Sequence, residues 1–157
     1  MKALVINCTL KKSPEPSNTE ALASVVAERL SKKGVDLDVV RAVDLNIAPG
    51  ERMDAMMSET DDEDRPVAYN RVAGVVVTGN EDGAHHVISE ISGALADIGY
   101  TIPGQAWTYW HLGPGPGPDY LEEQRGREWA HRTGGIMADN LHGVAEALMA
   151  RPLSAPA

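Results

Sequence analysis

An α/β architecture, a doubly wound parallel sheet in three α/β/α layers, is predicted by three observations. Lys2–Asn7 and Val72–Thr78 are short, continuous apolar runs, the pattern of strands covered on both faces. Each runs into a polar loop and then into a helix with one apolar face. The order is β-α-β, a gap, then β-α-β-α, and right-handed crossovers wind that order onto both faces of a sheet.

The first helix opens near Ser17. Ser17 and Glu20 have capping-box spacing, with Asn18 and Thr19 as alternative caps. Leu22, Val25, Val26 and Leu30 fall on one face, and Lys32-Lys33-Gly34 is a stop signal. Val35–Val40 sets Val35, Leu37 and Val39 against Asp36 and Asp38, the alternation of a half-exposed edge strand. After Val72–Thr78 comes Gly79-Asn80-Glu81-Asp82-Gly83, then a helix with Ala84, Val87, Ile88, Ile91, Leu95 and Ile98 on one face, closed by Gly99. A further strand lies within Thr101–Tyr109, and Pro103 favours an edge position for it. Gly113–Pro118 alternates Gly and Pro and reads as a semi-rigid loop. The last helix is expected from about Asp119 to Ala150, burying Trp129, Ile136, Met137, Leu141, Val144 and Leu148. Within it Gly134-Gly135 marks a break or a close approach. Residues 1–150 form one domain, and 151–157 a frayed tail.

The 157 residues suffice for one domain with a real core. A net charge of -9 repels nucleic acid and anionic membranes, so neither is an expected partner, and an anionic ligand must be held by local geometry. One cysteine excludes an intrachain disulfide, and Cys/His metal spacing is absent. There is no membrane-length apolar run and no signal-peptide pattern, so a cytoplasmic location is expected.

Doubly wound sheets bind ligands beyond the carboxyl ends of their strands, and both polar loops, 8–18 and 79–83, lie at that end. Thr9, Lys11, Ser17, Asn18 and Thr19 surround a helix N-terminus, where free N–H groups and the positive dipole end suit a phosphate. The bland alternative is an ordinary βα connection with a common cap. Thr78, Gly79, Asn80, Glu81 and Gly83 would flank the remainder of the ligand, or form only a turn and cap. Cys8 reads as a small buried residue. His85-His86 reads as helix-end solvation, with one ring edge-on to a ligand as the alternative, and Asp61-Asp62-Glu63-Asp64 as a solvated acidic run. Trp107, Tyr109 and Trp110 suggest a stacking surface for a flat ring or a second subunit, while Tyr100 and Trp129 suggest core.

The Cys8-Thr9-Leu10-Lys11 and Ser17-Asn18-Thr19 segments resemble the phosphate loop of the flavodoxin-like NAD(P)H-dependent FMN reductases and their iron–sulfur flavoprotein relatives. Lys11 stands where that family has arginine, which keeps the charge and loses the bidentate fork. Thr78-Gly79-Asn80-Glu81-Asp82-Gly83 resembles its ring-flanking loop, and the likeness takes in Gln105–Pro118. The resemblance implies an FMN cofactor, NAD(P)H as co-substrate, and a small-molecule acceptor such as a quinone or free flavin. It also implies a homodimer or homotetramer. Because the cofactor carries the redox chemistry no catalytic acid–base residue is expected, and the absent Cys/His spacing leaves no metal site expected. Two other readings stay open: a flavin-binding electron carrier without nicotinamide turnover, and a degenerate module acting through a protein interface.

One piece of that family pattern has no counterpart. The middle strand and its flavin-facing loop are missing between Gly50 and Glu51. Either a stretch is left out at that junction, the arrangement favoured by the segment after it, or a true deletion leaves a four-stranded sheet in which the first strand pairs directly with Val72–Thr78.

Overall fold

The computed structural model describes residues 1–45, 59–62, 64–79 and 82–154. β1 (Lys2–Asn7) pairs in parallel with β2 (Asp36–Arg41), Lys2 opposite Asp36 and Asn7 opposite Arg41. They are joined by α1 (Asn18–Lys32). A 3-10 turn, Ala42–Leu45, follows β2. β3 (Val75–Thr78) pairs in parallel with β4 (Trp107–Trp110), Val75 opposite Trp107, through α2 (Ala84–Asp97). The chain closes with α3 (Arg127–Ala150).

α1 forms where its signals lie. Ser17, extended at φ -112 and ψ 124, accepts the Glu20 N–H as cap, a contact whose loss to alanine costs about 1 kcal/mol. Leu22, Val26 and Leu30, four apart, form its buried stripe. Gly34, at φ 79, turns the chain out of the helix where an L side chain would be strained.

α1 and α3 cover one face of both strand pairs. Val26, Leu30, Val35, Met137 and Ala138 form a cluster that takes in Ala3 and Leu37 from the first pair and Val76 from the second. A second cluster, Leu22, Trp110, Tyr120 and Ala130, also meets Val76. α2 lies on the opposite face, where its His85 meets Trp107 and Tyr109, while Thr108, the next residue in β4, bonds Ala130 and Thr133 of α3. Three layers result, as the sequence predicts.

Several expectations are corrected. Among the described residues the sheet is two two-stranded ladders, and β1 does not pair with β3; the direct pairing expected of a four-stranded sheet is not formed. The 50–51 junction itself lies outside the described residues. The second central strand is shorter than the apolar run: Gly74 interrupts it, and Val72 makes only an isolated bridge to Thr101. α3 begins at Arg127, not near Asp119, because Gly126 at φ 77 sets its start and Asp119 and Glu122 close a turn instead. It runs unbroken through Gly134-Gly135, and a Cβ on Gly134 would find only ordinary contacts at 3.5 Å. Trp110 is buried core, whereas Trp129 and Ile136 are exposed. Cys8 is exposed as well, and Asp61 of the acidic run pairs with Arg65 at 2.8 Å.

Candidate functional site

The candidate site is built at the carboxyl end of β1. Asn7, a buried polar residue ending an apolar strand, organises it from below. Its amide nitrogen donates to Ser17 Oγ at 3.2 Å and to Glu20 Oε2 at 2.8 Å, and its carbonyl accepts the Thr9 N–H at 3.2 Å. Thr9 Oγ1 in turn accepts the Lys11 N–H at 3.2 Å. From the end of β2, Arg41 reaches across, giving Nε to Glu20 Oε2 at 2.6 Å and Nη1 to the Glu15 carbonyl at 2.7 Å and the Lys11 carbonyl at 3.4 Å. Asp44 takes both the N–H and the hydroxyl of Ser13, at 3.0 and 2.6 Å. The loop is thus strapped at Lys11, Ser13, Glu15 and Ser17.

This strapping also settles the charge. The Arg41 guanidinium, by hydrogen bond, holds the Glu20 carboxyl below its ordinary range, with the Asn7 amide assisting against partial desolvation. Glu20 is therefore an ion-paired strut, its charge neutralised at the entrance to the loop.

Of the residues singled out in the sequence, the structure brings Thr19 and Thr78 together, Oγ1 to Oγ1 at 2.8 Å, which joins the start of α1 to the end of β3. Asn18 Oδ1 accepts the Leu121 N–H at 3.1 Å, so its amide nitrogen is left to donate. The Ser17 oxygen is engaged within the protein, by the cap and by Asn7. Gly79 donates its N–H to the Trp110 carbonyl at 3.1 Å, and Gly83, at φ 107, caps α2. Asn80 and Glu81 lie outside the described residues.

Around the start of α1 the Asn18 and Thr19 N–H groups have no acceptor among the described residues, and the Asn18 amide nitrogen is left to donate near the Thr19–Thr78 hydroxyl pair. Open N–H groups at a helix N-terminus fit an acceptor-only dianion such as a phosphate monoester.

Sequence reasoning missed Asn7, Arg41 and Asp44, and gave Glu20 only as the capping-box partner of Ser17, whereas its carboxylate meets Arg41 and Asn7. The one local signal was a polar residue closing an apolar strand; the others act across 21 to 31 residues of chain.

A second feature lies on the outer edge of β4. Trp107, Tyr109 and His111 alternate onto one face in a stacked row, met edge-on by His85 and flanked by Trp129. Tyr109, Trp110, His111, Gly126 and Trp129 line a cleft of about 280 Å³ there. His111 Nδ1 accepts the Gly113 N–H at 3.0 Å, which places the proton of the neutral ring on Nε2.

No family model matches the chain. It is 30% identical over 206 aligned positions to the divalent metal cation transporter MntH of Mycobacterium bovis, a match covering 99% of this chain and 30% of the transporter. The chain thus spans less than a third of that relative. It is 29% identical over 182 positions to the 8-demethyl-8-aminoriboflavin-5'-phosphate synthase of Streptomyces davaonensis, covering 82% of this chain and 70% of the synthase. Among solved structures it superimposes on RosB with bound 8-demethyl-8-formylriboflavin-5'-phosphate at a TM-score of 0.86, with 26% identity, over 98% of this chain and 82% of that one. The fold is flavodoxin-like α/β. Among the described residues no helix is long and apolar enough to cross a membrane, and no group of three or more His, Cys, Asp or Glu is placed to hold a metal ion.

Proposed function

We propose that the chain binds a riboflavin 5'-phosphate at the carboxyl ends of β1 and β3 and acts as an FMN-dependent oxidoreductase. In this reading NAD(P)H is the electron donor, and a quinone, a free flavin or a similar small molecule the acceptor. The observation that carries the reading is the open N–H groups at the start of α1, beside the Arg41–Glu20–Asn7 strap. The likeness to RosB, whose structure holds a flavin phosphate, supports the same ligand class.

FMN, when bound, supplies the hydride and electron chemistry. The chain's own residues position it. Thr9, Lys11, Asn18 and the first N–H groups of α1 hold the phosphate, and Thr78 and Gly79 border the path toward the ring. No acid–base pair is required of the protein. A second reading follows from the synthase likeness: riboflavin 5'-phosphate sits in the same site as a substrate that is altered, not as a resident cofactor.

Titration of FMN into the purified chain, followed by loss of flavin fluorescence, tests the common core. Saturable quenching is expected. Thr9→Ala should weaken it roughly tenfold, the ~1.5 kcal/mol of one hydrogen bond to a charged group. Absence of binding would remove both readings and favour the interface module. Anaerobic NAD(P)H then separates the survivors: bleaching of bound flavin marks the reductase, and a flavin reduced only by a chemical or protein donor marks an electron carrier. A flavin recovered with altered mass marks the substrate reading.

A further inference from the structure

We infer that Glu20 is a built-in anionic competitor at the start of α1, and that Arg41 is the positioning residue that draws it aside. The inference rests on the flavin-phosphate reading and deepens it: Arg41, acting through Glu20, sets the preference of the site for a dianionic phosphate monoester.

The conflict is local in origin. A carboxylate three residues after a helix cap is favoured by the positive dipole end and by the free N–H groups of the first turn. A phosphate is favoured at the same place for the same two reasons. Ser17 caps α1 and Glu20 stands three residues on, so side chain and ligand compete for one end of one helix. Capping-box geometry would return the carboxylate to the Ser17 N–H. The structure sends it elsewhere. Its Oε2 accepts from Arg41 Nε at 2.6 Å and from the Asn7 amide at 2.8 Å, and the Asn18 and Thr19 N–H groups keep no acceptor among the described residues.

Arg41 holds the carboxylate because β2 delivers it there. It ends β2 directly opposite Asn7 in the ladder, so strand register sets the two partners of Glu20 side by side. Its side chain is only 11% exposed, and Nη1 is anchored on the Glu15 carbonyl at 2.7 Å. Asp44, the other carboxylate whose charge reaches Glu20, is occupied by Ser13. Two opposite charges in contact largely cancel at a distance. A dianion approaching α1 therefore meets a neutral pair and not a bare carboxylate.

The test is a double-substitution cycle on the full chain, read as Kd for FMN and for riboflavin, the same ring system without the phosphate. Arg41→Gln should weaken FMN on the order of tenfold, the effect of one uncovered charge near a protein surface, and leave riboflavin unchanged. Glu20→Gln alone should bind FMN at least as tightly as the unaltered chain. With Glu20→Gln in place, adding Arg41→Gln should cost less than about twofold. A loss as large in that background would mean that Arg41 meets the phosphate itself or merely holds the loop, and would overturn the inference. An equal loss of riboflavin would do the same. Arg41→Lys covers the case in which Arg41→Gln does not fold. It keeps a charge beside Glu20 and gives up the grip on the Glu15 carbonyl, so FMN should bind within about threefold of the unaltered chain; a tenfold loss would count against the inference. If the unaltered chain does not bind FMN, the flavin-phosphate reading fails and takes this inference with it. If it binds FMN and the cycle shows no coupling between Arg41 and Glu20, this inference alone fails.

Discussion

Gly74 is the residue with the least freedom in the fold. A Cβ built there would lie 2.5 Å from the Ala106 carbonyl oxygen and 2.6 Å from Met137 Cε. The methionine can yield, but the backbone oxygen of the neighbouring strand cannot, so Gly74→Ala must push β3 from β4 or from α3. It should destabilise by about 1–3 kcal/mol, the usual cost of overpacking, read as a lower urea midpoint at unchanged slope. Gly134→Ala, where the same atom finds ordinary contacts and gains helix propensity, should be neutral or stabilising in the same assay. Sequence alone singled out Gly134-Gly135 and passed over Gly74. It saw a pair inside a helical pattern and could not see a carbonyl brought in from residue 106. Ser17 and Gly34 were legible because a cap and a left-handed exit are local. Arg41 was not, since nothing near it in the chain announces Glu20.

The contact between α1 and α3 carries a charged clamp at its rim. Arg29 meets Asp139 at 2.7 Å and Lys33 meets it at 3.1 Å. Hydrogen bonds from Arg29 and then Lys33 hold the Asp139 carboxyl down to about 2, from an ordinary 3.8. A carboxyl lowered by folding contributes stability that is complete above the unfolded value and lost as pH falls through the folded one. The stabilising share of the clamp should therefore disappear between about pH 4 and pH 2. Asp139→Asn should flatten that part of the profile, checked by urea unfolding of both proteins at pH 5, 4, 3 and 2. At this scale the positions of the helices were legible, but not all of their apolar faces, since Val87, Ile91, Trp129 and Ile136 are exposed, nor the last one's start: Asp119 and Glu122 carry a helix-opening signal, but two residues of matching type also close a turn. The parity of β4 was equally hidden. Which of Trp107, Tyr109 and Trp110 face the core depends on where the strand begins, and only the Thr108 bond to Ala130 fixes that.

At the scale of the molecule, two ladders share one helical layer. All three tryptophans, Trp107, Trp110 and Trp129, belong to the second ladder and α3, so their fluorescence reports one side, while far-UV circular dichroism reports both. Because Val26, Leu30 and Met137 bridge the sides, the two signals should unfold at one midpoint. Leu22→Ala, which empties a fully buried site, should lower both together, by about 2–5 kcal/mol. A tryptophan transition separated from the dichroism would show that the sides unfold independently. The α/β class was legible because two apolar runs with helices after them admit few arrangements. The split sheet was legible only as one of two alternatives at the 50–51 junction, because pairing joins residues that no local pattern links.

The way each ladder is closed has a consequence for synthesis on the ribosome. Lys2 meets Asp36, and Val75 meets Trp107, spans of 34 and 32 residues. Among the described residues neither ladder borrows a strand from the other, so the amino-terminal ladder holds its strand partner once its own short stretch has left the exit tunnel. α3, whose 24 residues emerge last, then docks on a surface already laid down. The order of translation is also an order of assembly, with the joining piece delivered at the end.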